Sequence, residues 1–211
     1  MSYVISENLD IVKVEPRSMS KIESTLIRSL DCFISLLMLM VLSPLLFLLL
    51  ILIRLDSKGP AIFAQRRVGL NNVPFTMYKF RTMYQGAEAN APDISDLDEP
   101  NIQLRTDDPY TRIGKLMSSR SVDEIPQLIN VLKGEMSLVG PRPLIQAEVD
   151  CFPESWKQRF QVLPGLTGWA QISSRELPVA EQIQMDLEWV QKQGVRVYLK
   201  LIIATVIDIL Y

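Results

Sequence analysis

The segment Ser121-Val122-Asp123-Glu124-Ile125-Pro126 carries the residues best suited to chemistry. Two carboxylates stand side by side, and Pro126 limits where a helix can begin. Proline is tolerated in a first turn, where its missing N–H has no helical partner. The helix must therefore start near Val122 or Asp123. Asp123 then lies at the positive end of the helix dipole, beside free backbone N–H groups, a position that keeps a carboxylate ionised and attracts phosphate. An anionic aspartate can attack phosphorus to form an acyl phosphate. A neighbouring glutamate can hold a divalent metal that offsets the repulsion between an anionic nucleophile and an anionic substrate. Acidic residues in a first turn also act as ordinary caps, and spacing alone does not separate the two roles.

Cations recur beside rigid backbone signals. Lys79 and Arg81 end a predicted strand, Arg142 is clamped between Pro141 and Pro143, and Arg175 follows Gly168-Trp169-Ala170-Gln171. Four cations on different elements could converge on a diphosphate; each taken alone also reads as a solvated surface charge. The chain has no histidine, which removes Ser-His-Asp and Cys-His catalysis and histidine zinc sites. A formal charge of -2 argues against a basic nucleic-acid binder. Cys32 and Cys151 form no CxxC pair and no disulfide framework, and read as reduced structural residues.

These groups need elements to place them. From Cys32 to Ile53, about 22 residues pass without a charge, about 33 Å of helix and roughly the hydrocarbon thickness of a bilayer. Ser43-Pro44 interrupts the run near its middle, where proline removes a donor and bends a helix. Lys13, Arg17, Lys21 and Arg28 precede the run, and Arg54, Lys58, Arg66 and Arg67 follow it. A spanning helix usually leaves its basic excess on one side, so flanks basic at both ends point to a helix that dips into one leaflet and returns. A single-pass helix is the alternative.

Four regions follow: an N-terminal arm at 1–20, the membrane helix at 21–57, a catalytic domain at 58–178 and C-terminal helices at 179–211. Residues 61–64 and 75–80, with Gly69-Leu70-Asn71-Asn72 between them, predict a hairpin. Residues 85–110 read as a long acidic loop. Helices are expected at 111–119, 124–133 and 150–160, with a turn at 164–168. Two further helices break near Gly194, and the last, largely apolar one suits either a membrane interface or the soluble core.

The ordered motifs identify a relationship. They are Arg28 with Asp31; Ser43-Pro44; Gly59-Pro60; Gln65, Arg67 and Gly69; and Lys79-Phe80-Arg81-Thr82-Met83. Then come Asp123-Glu124 with Pro126-Gln127-Leu128, residues 130–134, residues 136–143, residues 164–171 and Asp186. In this order they resemble the bacterial sugar transferase family, the monotopic phosphoglycosyl transferases that load a phospho-sugar onto undecaprenyl phosphate.

The resemblance implies a membrane-associated α/β fold at the cytoplasmic face of the bacterial inner membrane. It comprises a re-entrant kinked helix, a small hairpin-containing catalytic domain and interfacial amphipathic helices. It implies a UDP-sugar donor, an undecaprenyl phosphate acceptor, the lipid bilayer as partner, and no nucleic acid. Asp123 would be the nucleophile, Glu124 with Asp123 would hold Mg²⁺, and Lys79, Arg81, Arg142 and Arg175 would surround phosphate. Ser43 and Pro44 would break the membrane helix, and Arg28 with Asp31 would dock it. The chain departs from the family pattern at Ile27, Ser118, Ser174 and Tyr198. Those departures motivate the rival reading, a non-catalytic membrane-anchored module. The reading as a whole is of a minimal catalytic form.

Overall fold

The computed structural model describes residues 14–87, 109–173 and 177–210. The dominant element is α1 (Lys21–Asp56), 36 residues long. It opens on a reciprocal cap: the Ser20 side chain accepts from the Glu23 N–H while Glu23 accepts from the Ser20 N–H. Its most apolar 18-residue window has mean hydropathy 3.1 and is only 11% buried, which distinguishes it from the core helix of a soluble protein. Phe33, Leu36, Met40, Val41, Phe47 and Leu48 are all exposed on it.

Ser43 and Pro44 lie inside α1, which stays helical through them as one element. The reason is local. Proline at 44 deprives the Met40 carbonyl of its usual partner four residues on, and the Ser43 hydroxyl donates to that carbonyl instead, at 2.8 Å.

Both arms of α1 pack on one body. Ile27, Leu30, Ile34 and Leu39 join the main core, and Leu46, Leu49, Leu50 and Ile53 join a second cluster with Ala61, Phe80 and Met117. Polar fastenings repeat the pattern. Arg17 ties the N-terminal end to the Gln193 carbonyl at 2.7 Å, and Asp56 accepts from the Ile113 N–H at 3.1 Å.

After α1, β1 (Ile62–Val68) and β2 (Pro74–Phe80) form the predicted antiparallel hairpin, with Phe63 opposite Lys79, Gln65 opposite Met77 and Arg67 opposite Phe75. Asn71 and Asn72 take left-handed conformations in the connection, a role asparagine tolerates well. Then come α2 (Arg112–Ser118), a 3₁₀ turn (Val122–Gln127), α3 (Leu128–Lys133) and β3 (Ser137–Val139).

No single helix fills 150–160: α4 (Gln146–Asp150) ends where it was expected to begin, and α5 (Glu154–Lys157) and a 3₁₀ turn (Gln158–Gln161) follow. Pro153 stands between the two helices and cannot continue the first. The turn expected at 164–168 instead contains β4 (Gly165–Thr167), parallel to β3. A Cβ at Gly165 would lie 2.0 Å from the Gly140 nitrogen, so the two backbones can meet there only because 165 is glycine.

The chain closes with α6 (Trp169–Ser173), α7 (Val179–Lys192) and α8 (Val195–Leu210). Trp189 and Val190 of α7 and Tyr198 and Leu201 of α8 complete the main core with Leu128, Val131, Leu138 and Val139. The other face of α8 exposes Leu199, Ile203, Val206, Ile207 and Ile209.

Candidate active site

The site is built where β2 meets the 3₁₀ turn. Asn130, fully buried on α3, holds the edge of β2: its side chain accepts from the Tyr78 N–H at 3.1 Å and donates to the Thr76 carbonyl at 2.7 Å. This pairs backbone groups that an edge strand would otherwise leave open. It also fixes Lys79, the next residue, opposite Glu124, whose Oε1 lies 2.8 Å from the ammonium. The 3₁₀ turn begins as Pro126 requires, at Val122. Before it, Ser121 takes a left-handed conformation, φ 54° and ψ 20°, on a non-glycine residue. Strain of this kind is stored at functional turns and costs on the order of 1 kcal/mol or more.

Glu124 and Lys79 line a small recess of about 30 Å³ together with Arg67, Met77, Gln127, Arg142, Pro143, Gly165, Leu166 and Gln171. Three cations face one carboxylate there, which favours an anionic occupant. Arg67 donates to the Gln65 side chain at 2.6 Å and to the Pro143 carbonyl at 3.3 Å, with Glu148 at 3.7 Å. Burial pushes its guanidinium below the usual arginine range and the charge of Arg142 adds to this, while Glu148 and Glu124 oppose it. An arginine stays charged at physiological pH even so. Behind Arg142, the buried Arg159 donates to the Arg142 carbonyl at 2.9 Å and pairs with Asp186. Burial raises the Asp186 carboxyl and the Arg159 guanidinium pulls it back.

The predicted site residues divide. Glu124, Lys79 and Arg142 come together in the recess. Asp123 is 9% exposed, adjoins Glu124 at the start of the turn and does not itself line the recess. Arg81 is elsewhere, a correction to its placement beside phosphate. Its guanidinium donates to the carbonyls of Ile53, Ser57 and Lys58 and to the Ser57 hydroxyl, closing the C-terminal end of α1. Arg175 lies outside the described residues.

Arg28 donates to the carbonyls of Val131 and Leu132 at the end of α3, at 2.5 and 2.7 Å. Asp31 accepts from the Leu138 N–H, the Ser137 hydroxyl and the Tyr198 hydroxyl, at 2.8, 3.1 and 2.8 Å.

Residue types alone gave no site role to Arg67, Gln127 or Gln171. Strand alternation held the signal for the first. In a hairpin where Phe63 faces Lys79, Arg67 shares the face of Lys79, because successive side chains alternate.

Among the described residues no three His, Cys, Asp or Glu side chains gather as a metal cage. Magnesium needs no such cage, since it keeps several waters and is held by one or two carboxylates plus substrate phosphates. Asp123 and Glu124 offer hard oxygen donors, and Glu124 already meets a cation, the Lys79 ammonium.

Residues 22–211 match the profile of the bacterial sugar transferase family. An undecaprenyl-phosphate glucose phosphotransferase of Komagataeibacter xylinus is 42% identical over 191 residues, covering 85% of this chain and 35% of that protein. A UDP-glucose:undecaprenyl-phosphate glucose-1-phosphate transferase of Caulobacter vibrioides is 38% identical over 194 residues, 87% of this chain and 69% of its own length. An undecaprenyl-phosphate galactose phosphotransferase of Salmonella typhimurium is 34% identical over 182 residues, 83% of this chain and 38% of its own length. This chain thus spans about a third of the Komagataeibacter protein and about two thirds of the Caulobacter one. With a profile match running to its last residue and relatives well above 30% identity, the chain belongs to the bacterial sugar transferase family.

Proposed function

We propose that the chain transfers a phospho-sugar from a UDP-sugar to undecaprenyl phosphate, releasing UMP, as a first membrane step toward a surface glycan. The observation that carries this reading is the recess where Glu124, next to Asp123, meets Lys79, Arg67 and Arg142 at the start of a helical turn. The names of the relatives, which specify undecaprenyl phosphate with glucose or galactose, support the substrate class.

In the first step the Asp123 carboxylate attacks the β-phosphorus of the donor. The bond from that phosphorus to the bridging oxygen breaks, and UMP leaves with the electron pair. A phosphate oxygen of undecaprenyl phosphate then attacks the same phosphorus and expels Asp123. Neither nucleophile needs a base, since each is already an anion, which suits a chain without histidine. Lys79, Arg67 and Arg142 hold phosphate oxygens through charge-assisted hydrogen bonds. Glu124, with Asp123, would hold a magnesium ion, which when bound neutralises diphosphate charge.

We place this chemistry at the cytoplasmic face of the inner membrane, on a helix that enters one leaflet and returns. Support comes from α1, whose two ends are fastened to one body while its middle exposes apolar side chains. A spanning helix carries its ends to opposite sides of a bilayer. The exposed apolar face of α8 supports a second contact in the interface.

The test is UMP release by purified protein in nanodiscs, screened across UDP-sugars with undecaprenyl phosphate. Asp123→Asn should lose at least about 10³-fold in rate, some 4 kcal/mol of barrier. Wild type given donor without acceptor should gain the mass of one phospho-sugar at Asp123. Full turnover by Asp123→Asn would refute the covalent route.

A further inference from the structure

Two residues that line the recess each carry a buried side-chain atom with no hydrogen-bond partner: Arg67 Nε, a donor, and Gln171 Oε1, an acceptor. An unmet buried polar atom costs about 1–3 kcal/mol, so a pair of them on residues that line one recess points to a place completed by something else. The other such atoms among the described residues belong to Ser35, Arg81 and Arg159, none of which lines the recess. Their opposite character restricts the occupant. A phosphate oxygen satisfies Arg67 but is repelled by the Gln171 carbonyl oxygen, since both are acceptors. An occupant that completes both must present an acceptor oxygen and a hydrogen-bond donor, and Arg67, Lys79 and Arg142 around the recess favour an anionic oxygen as the acceptor. The recess, about 30 Å³, admits single groups rather than a ring. A hexose carrying phosphate on its anomeric carbon meets both demands, with hydroxyls or amide N–H groups a few bonds from the phosphate.

Resting on the transferase reading above, we infer that Arg67 and Gln171 read the phospho-sugar as a pair. Arg67 Nε holds a phosphate oxygen, and Gln171 Oε1 accepts from one donor group of the sugar. Gln171 is then a specificity-determining residue: it rewards a sugar with a donor at that position and penalises one without.

The experiment compares the UDP-sugar that wild type uses best with its monodeoxy analogues, one hydroxyl or amide removed at a time. UMP-release kinetics are followed for wild type, Gln171→Met and Gln171→Glu. Methionine keeps the length and removes the acceptor; glutamate keeps an acceptor. For wild type, one analogue should lose about 5- to 150-fold in kcat/KM, the range that one buried hydrogen bond supplies. Gln171→Met should lose a similar factor with the full sugar and lose nothing further with that analogue. Gln171→Glu should turn over more slowly yet keep the discrimination. A Gln171→Met enzyme that discriminates like wild type at every position, or matches it with the full sugar, overturns the inference. If wild type releases UMP from no UDP-sugar, the transferase reading itself fails and this pairing falls with it.

Discussion

Arg81 offers a test that separates structure from chemistry. The sequence places it two residues after Lys79, where a phosphate ligand is expected; the structure spends it on α1 instead. Arg81 is 5% exposed, and its guanidinium reaches the Lys58 carbonyl at 2.7 Å, the Ser57 carbonyl and hydroxyl at 2.8 Å each, and the Ile53 carbonyl at 3.3 Å. Hydrogen bonds from a charged donor contribute about 1.5–3 kcal/mol each, and bonds sharing one guanidinium do not add fully. Arg81→Ala should therefore cost about 3–5 kcal/mol, lowering the melting temperature by about 6–20 °C at this chain length. Gly59 gives an independent route to the same group. It adopts φ +115°, and a Cβ there would lie 2.3 Å from Arg81 Nη1, so Gly59→Ala should destabilise in the same direction. The assay is thermal unfolding in nanodiscs beside UMP release at a temperature where the variant stays folded. The expected result is a large loss of stability with KM for the donor near wild type. A variant that melts with wild type yet cannot release UMP would refute the capping role and return Arg81 to the phosphate site.

Removing divalent metal with EDTA should abolish UMP release and added Mg²⁺ should restore it; metal-independent turnover would remove the role given to Glu124. Ser43→Ala should cost about 1 kcal/mol by stripping the Met40 carbonyl of its donor. That cost should vanish in a Pro44→Ala background, where the backbone N–H returns, and a double-mutant cycle on melting temperatures reads the difference. Asp186→Asn leaves the buried Arg159 guanidinium without its counter-charge and should cost about 3–5 kcal/mol by thermal melt. Because Arg159 also holds the Arg142 carbonyl, KM for the donor should rise with it.

Features set by local rules were legible in the sequence. Short runs rich in aromatic and β-branched residues on either side of Gly69-Leu70-Asn71-Asn72 announce the hairpin, and Pro126 places the start of the turn that bears Asp123 at Val122. Features set by distant partners were not. Nothing near Arg81 says that its targets are the carbonyls of a helix end 23 to 28 residues earlier. Strand β4 is three residues long and is defined by the parallel partner it meets, so its Pro164-Gly165 start reads as a turn in isolation. Arg67 sits between the two cases. Its face of the hairpin follows from register, but the contribution of Gln171 from α6 depends on how the chain returns to β3 after 25 residues of helices and turns.

Asp31 is held by the backbone N–H of Leu138, and Leu138 precedes Arg142 by four residues on a short strand that runs into the proline clamp. On the function proposed above, lipid and catalysis share a lever. Thicker or thinner acyl chains should then shift the tilt of α1 and act through the Asp31–Leu138 hydrogen bond on the strand that leads to Arg142. Acyl-chain length then becomes an input to turnover, and nanodiscs of short and long lipids would register it as a change in kcat at constant sugar concentration.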